Sequence, residues 1–227
     1  MRHAAKLCIV VACAMASGCS LLHDKPVPPP PLEYSINSPY RSVHTIAIAP
    51  AVNLSGNHDF DVLAVSDSLF EEMQQVRNLN ALPLNKTLIV MRKLNMRSID
   101  TPQDAQVLIK ALGADAIIIP AVTAYDPYNP PVVGMTLQLY SLAGAEPAVS
   151  GGGVGGPEHQ PVSQVSAVFN ASNQTVLHEL RDFAAGRTEY ETALQDEKFL
   201  VDSDSYMRFV SHAMIRRLME AERQRNY

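Results

Sequence analysis

Residues 114–125 read ADAIIIPAVTAY and are almost wholly apolar. Side chains alternate between the two faces of a strand, so a strand of this composition is covered on both sides. The run therefore predicts a sheet with helices packed against it. The residues before it agree. Thr101 is placed to cap a helix, Pro102 takes its first position and Asp104 completes a box-like pairing. Ala105, Leu108, Ile109 and Leu112 form the apolar stripe of that helix, and Gly113 ends it.

The same reading extends along the chain. VHTIAIAPAVN (43–53) is a β-branched-rich run that predicts one buried strand, closed by turn chemistry at 53–57. Val62, Val65, Leu69, Met73 and Val76 recur at helical spacing, with Asp59 or Asp61 as the cap. Residues 80–85 predict a short strand, and 86–95 a helix capped by Asn85. Beyond the apolar run, DPYNPP (126–131) turns the chain and 132–142 returns in alternating pattern. VSQVSAVFNA (162–171) and VLHELRDFAA (176–185), joined by SNQT, read as a hairpin. A last helix over 205–223 places Tyr206, Phe209, Val210, Ala213 and Leu218 inward. The order predicts the α/β class: a single, three-layer-like domain with a mixed β-sheet and packed helices. No internal repeat is visible.

The amino terminus is of another kind. Arg2 and Lys6 precede the apolar stretch LCIVVACAMA (7–16), and small residues then lead to Cys19. Ten apolar residues rise only about 15 Å as a helix and do not cross a hydrocarbon core of about 30 Å, so 1–18 reads as an export signal. Cys8 and Cys13 lie inside it, which leaves Cys19 as the one cysteine of the mature chain and no partner for a disulfide. Residues 20–42 hold six prolines, four of them consecutive at 28–31. Proline fixes φ and lacks an N–H, so 19–42 predicts an extended tether and 43–227 the folded domain.

Composition narrows the partners. Of 227 residues 47% are hydrophobic, enough for one domain with a core. Lys and Arg number 18 against 23 Asp and Glu, and loss of Arg2 and Lys6 takes the formal charge from −5 to −7. There is no basic footprint for nucleic acid. An acidic chain is not drawn to a lipid surface by charge.

Ala16-Ser17-Gly18-Cys19 resembles the lipobox of bacterial lipoprotein signals, with Ala16 where Leu is usual. That resemblance implies that Cys19 is lipidated, carrying diacylglycerol and an amino-terminal acyl chain such as palmitate. Ser20 implies the outer membrane, facing the periplasm. IAIAPAVNLSG (46–56) resembles the opening of the TolB amino-terminal domain. LGADAIIIPAVTAYD (112–126) is similar to a strand of the curli-secretion-channel lipoproteins and of the penicillin-binding-protein activator lipoproteins. VFNASNQTVLHELRDFAAG (168–186) resembles their hairpin, with Asn170 where aspartate is commoner. The resemblance spans roughly 43–223 and implies a shared fold and an envelope setting.

Candidate sites are few. GGGVGG (151–156) contains G-x-G-x-x-G, but PEHQP follows it and starts no helix, so a dinucleotide cradle is not expected. HDFD (58–61) groups one imidazole and two carboxylates without further ligands at metal spacing, and helix capping accounts for its acids. There is no G-x-S-x-G elbow, and the only mature cysteine is the lipid site. No catalytic residue, metal or cofactor is expected. The loop AYDPYNPP (124–131) carries Tyr125, Asp126, Tyr128 and Asn129 on a proline-stiffened turn, and rigid aromatic residues make good partner contacts. The leading expectation is a non-enzymatic, lipid-anchored envelope accessory protein. Its partner would be an envelope protein or part of the peptidoglycan-synthesis or secretion machinery. One alternative is a subunit of a curli-type secretion channel, although 143–161 lacks the alternation of a membrane strand. Another is a small-ligand or metal-binding module with HDFD and YDPYN as its rim.

Overall fold

Pro50 divides the first predicted strand. In the computed structural model, which describes residues 36–40, 42–57, 60–142, 161–185, 187 and 197–225, the stretch 43–53 forms two strands, β1 (Thr45–Ile48) and β2 (Val52–Asn53). Both lie parallel to β4 (Ala116–Asp126) along one line. Ala49 still donates its N–H to the Ile118 carbonyl at 2.9 Å, but Pro50 has no N–H to give. The Ala51 N–H turns away to the buried Ser66 hydroxyl at 2.8 Å. The remaining elements are α1 (Val62–Met73), β3 (Asn80–Leu82), α2 (Leu84–Lys93), α3 (Pro102–Leu112), β5 (Val132–Ser141), β6 (Ser163–Asn170), α4 (Gln174–Ala185), α5 (Glu197–Val201) and α6 (Ser203–Arg225). All belong to one structural unit, Tyr34–Tyr227. No described helix is long and apolar enough to cross a membrane.

The sheet order is β3-β1-β4-β5-β6, with β2 beside β4. β3, β1 and β4 are parallel, while β5 and β6 are antiparallel additions. The sheet is therefore mixed, as expected. Two cores flank it. Ile46, Ile48, Ile118, Met135 and Leu137 meet α1, α4 and α6 on one face. Ala47, Ile117, Ile119 and Tyr140 meet α2 and α3 on the other. This is the α/β, three-layer arrangement predicted from the double-sided apolar run.

The capping residues act as predicted. Thr101 Oγ1 accepts from the Asp104 N–H, and the Asp104 carboxylate accepts from the Thr101 N–H at 2.9 Å. Gly113 closes α3 in the left-handed region, at φ 65°. Asp115, directly before β4, has a structural role. Its Oδ2 accepts the backbone N–H groups of His44 and Thr45 at 2.9 and 2.8 Å, fixing the start of β1 beside β4. Asp115→Ala is expected to cost about 1 kcal/mol by leaving those donors without this acceptor. Chemical denaturation would show it as a lower midpoint at unchanged slope.

Two further predicted elements differ. Residues 176–185 are not a strand but most of α4, so β6 leads into a helix and not a hairpin. Val176, Leu180, Phe183 and Ala184 are its buried residues, one helical face. Asn173 starts the helix, accepting from the Thr175 N–H through its side chain at 2.9 Å and from the Leu177 N–H through its carbonyl at 3.0 Å. The predicted helix after residue 85 is present, but α2 begins at Leu84 with Pro83 before it, not with Asn85 as cap.

Residues 36–40, read from sequence as tether, are held by the domain. Arg77 donates its N–H to the Ile36 carbonyl at 2.8 Å, and Ser38 donates to the Arg77 carbonyl at 3.1 Å. Ile36 and Tyr40 pack on the α1–α6 core. The Tyr40 phenol lies against the end of α6, where Glu222 is buried and paired with Arg225 at 2.8 Å. Burial, reinforced by the Glu222 charge, raises the Tyr40 pKa.

Candidate functional site

A β-bulge in β4 sets the position of Tyr125. Val122 pairs with Met135, and the next pair is Ala124 with Gly134, so Thr123 is the extra residue. Strict alternation from Val122 would send Tyr125 to the face of α2 and α3. The bulge restores it to the opposite face, where it pairs with Val133 and packs on the α1–α6 core. Gly134 permits this. A Cβ there would stand 2.7 Å from Thr123 Oγ1 and 3.1 Å from the Ala124 backbone nitrogen.

Thus aimed, Tyr125 lines a groove of about 380 Å³ between α1 and the first turns of α6. Its ring lies 4.5 Å from that of Phe60, tilted by 36°. Val65, Ser68 and Met207 complete the apolar part. Ser68 is 9% exposed, and its hydroxyl has no hydrogen-bond partner among the described residues. Four carboxylates line the groove as well, Asp61, Asp67, Glu71 and Asp204, against the single cation Arg208. Asp61 caps α1, accepting from the Leu63 N–H at 2.8 Å. Burial raises the Tyr125 pKa. A hydrogen bond with Ser203 opposes that shift and the Asp204 charge adds to it, so the ring is neutral at neutral pH.

Behind the groove lies a buried polar cluster. The Glu72 side chain is fully buried and takes a bidentate pair from Arg187 at 2.5 and 2.6 Å. His212 Nδ1 stands 3.1 Å from its Oε2, which also accepts from Arg187, and Arg208 is 3.9 Å from its Oε1. Arg187 also donates to Gln75 at 2.9 Å and stacks over Phe183 at 4.1 Å. Burial alone would raise the Glu72 pKa, but hydrogen bonds from Arg187 and His212 outweigh it and hold the carboxyl below its ordinary value. The residues at the start of α1 and of α6 line one groove, and further along Glu71 pairs with Arg208 and Glu72 with His212, so α1 and α6 run side by side in the same direction.

The four loop residues singled out from sequence separate in space. Tyr125 turns into the groove, whereas Tyr128 is 79% exposed. Asp126 accepts the Tyr128 N–H at 3.1 Å, shaping the turn. Asn129 is exposed and precedes Pro130 through a cis peptide bond. Cys19, His58, Asp59 and 151–156 lie outside the described residues. Among the described residues, no group of three or more His, Cys, Asp or Glu is placed to hold a metal. The groove acids Asp67, Glu71 and Asp204 escaped the sequence reading. A signal was present, because Ala64, Asp67 and Glu71 repeat at helical spacing beside the apolar stripe of α1.

No protein-family model and no curated protein matches the chain. Among solved structures, lipoprotein GNA1162 from Neisseria meningitidis is similar over 62% of this chain and 92% of its own, at 16% identity and a TM-score of 0.40. The LpoB C-terminal domain from Salmonella enterica covers 56% of this chain and 84% of its own, at 8% identity and a TM-score of 0.42. The PelC dodecamer from Paraburkholderia phytofirmans covers 85% and 94%, at 12% identity and 0.38. A bacterial lipoprotein is thus among the structural neighbours, all three at TM-scores below 0.5.

Proposed function

We propose that this chain is a non-enzymatic envelope accessory protein anchored to the outer membrane through acylated Cys19 and facing the periplasm. Its proline-rich segment spaces the α/β domain from the bilayer, and the domain docks another envelope protein, one serving peptidoglycan synthesis or secretion. The groove between α1 and α6 carries this reading. It is a concave surface with rigid aromatic residues at its floor, and the bulge opposite Gly134 holds Tyr125 in place there.

Two measurements test it. Cys19→Ser is expected to move the chain from the membrane to the soluble fraction of cell extracts. Mass spectrometry of the wild-type amino terminus should find an acylated cysteine at the first position, and an unmodified Cys19 would sink the anchor. Photo-crosslinking in intact cells from positions 64, in the groove, and 128, on the exposed loop, should yield a protein adduct from at least one. No protein adduct from either site would refute docking.

A further inference from the structure

Asp67 and Glu71 lie beyond the first turn of α1, where neither capping nor the helix dipole favours a carboxylate. Across from them Asp204 adds a third acid, and Asp61 a fourth at the groove end. Arg208, the groove's only cation, is committed to Glu71 at 3.6 Å and Glu72 at 3.9 Å. Among the described residues no cation pairs with Asp61, Asp67 or Asp204. The floor between the acids is aromatic, and a ring face attracts a cation. The buried Ser68 hydroxyl at the same floor has no hydrogen-bond partner among the described residues. A volume of about 380 Å³ stands at the small end of ligand sites, enough for side chains of a segment rather than a large ligand.

We propose that the α1–α6 groove receives a lysine- or arginine-bearing segment of the partner protein, its cationic side chain lying over Tyr125 between Asp67 and Asp204. This rests on the docking function proposed above and specifies the chemistry of the segment that docks. The apolar stem of such a side chain would cover Val65 and Met207 while its head meets the carboxylates. Charge complementarity of this kind selects the partner and speeds encounter.

The test uses the full-length lipidated chain in intact cells, with a photo-crosslinking amino acid in place of Ala64. The expected adduct joins Ala64's position to a protein segment in which Lys or Arg lies at or beside the attachment point. Asp67→Lys should reduce adduct yield at least about tenfold, because it places a like charge in the seat. Asp100→Lys makes the same charge change on the opposite face of the sheet and should leave the yield within about twofold. Tyr125→Leu keeps the apolar contact, removes the electron-rich ring and should lower the yield several-fold. Unchanged melting temperatures in the Asp67 and Asp100 variants separate these effects from unfolding. An adduct with an acidic or uncharged segment, or a yield indifferent to Asp67→Lys, would overturn the cationic occupant and leave docking in place. An adduct with glycan or lipid alone would overturn a protein occupant, and so would adducts from position 128 only. Silence at both positions would remove the docking function itself.

Discussion

Glu72→Ala is expected to lower the unfolding free energy by about 3–5 kcal/mol. The Glu72 side chain is fully buried, so its removal strands the Arg187 guanidinium and takes an acceptor from His212. Most of the loss comes from the charge left behind. Glu72→Met combined with Arg187→Met removes both and should recover much of the stability, which a denaturant series on the two single variants and the double would show. The same pairing makes stability pH-dependent. The Glu72 carboxyl lies below its ordinary value in the folded chain, so the unfolded chain takes up a proton first as pH falls. The stabilisation is complete above the ordinary carboxylate value of about 4.3 and is lost as pH drops through the folded value beneath it. In Glu72→Gln this part of the acid sensitivity should disappear; a midpoint that falls as steeply as in the wild type would discount the cluster as its source.

Gly134→Val should cost about 1–3 kcal/mol and disturb the groove as well. Thr123 Oγ1, 2.7 Å from the added Cβ, can rotate aside, but the Ala124 backbone nitrogen at 3.1 Å cannot. Relief requires β4 and β5 to separate or the bulge to slide. A sliding bulge turns Tyr125 towards the other face of the sheet. The Tyr125–Phe60 contact should then loosen, and tyrosine fluorescence or amide exchange near residue 125 would report it. Gly134→Ala should act in the same direction with a smaller loss. A valine variant as stable as the parent would mean that the bulge does not depend on the glycine.

Features written in contiguous residues were legible before the structure. The double-sided run at 114–125 implied helices on both faces, and Thr101, Asp104 and Gly113 act at the ends of α3 as their chemistry predicts. The misread hairpin shows the limit of local pattern. VLHELRDFAA follows a turn-like SNQT and was read as the second arm of a hairpin, although its apolar residues at 176, 180, 183 and 184 already carry helical spacing, and Leu180 and Phe183 use that face to pack on the core. The candidate site was less legible still. Tyr125 was visible as a loop aromatic, but its direction depends on a bulge that packs against a glycine nine residues later on the neighbouring strand. Glu72 meets partners 115 and 140 residues away, a separation that no helical or strand period records.

The attachment of residues 36–40 beside Arg77 and the end of α6 has a consequence for docking. The chain enters the domain at the carboxyl ends of α1 and α6, while the groove lies at their amino ends. From Ser203 to Glu222 the helix is roughly 28 Å long at about 1.5 Å per residue. The point where the chain joins the domain and the groove therefore occupy opposite ends of the same pair of helices. A segment seated in the groove would leave the entry of the chain at Ile36 uncovered, so docking and attachment do not compete for surface.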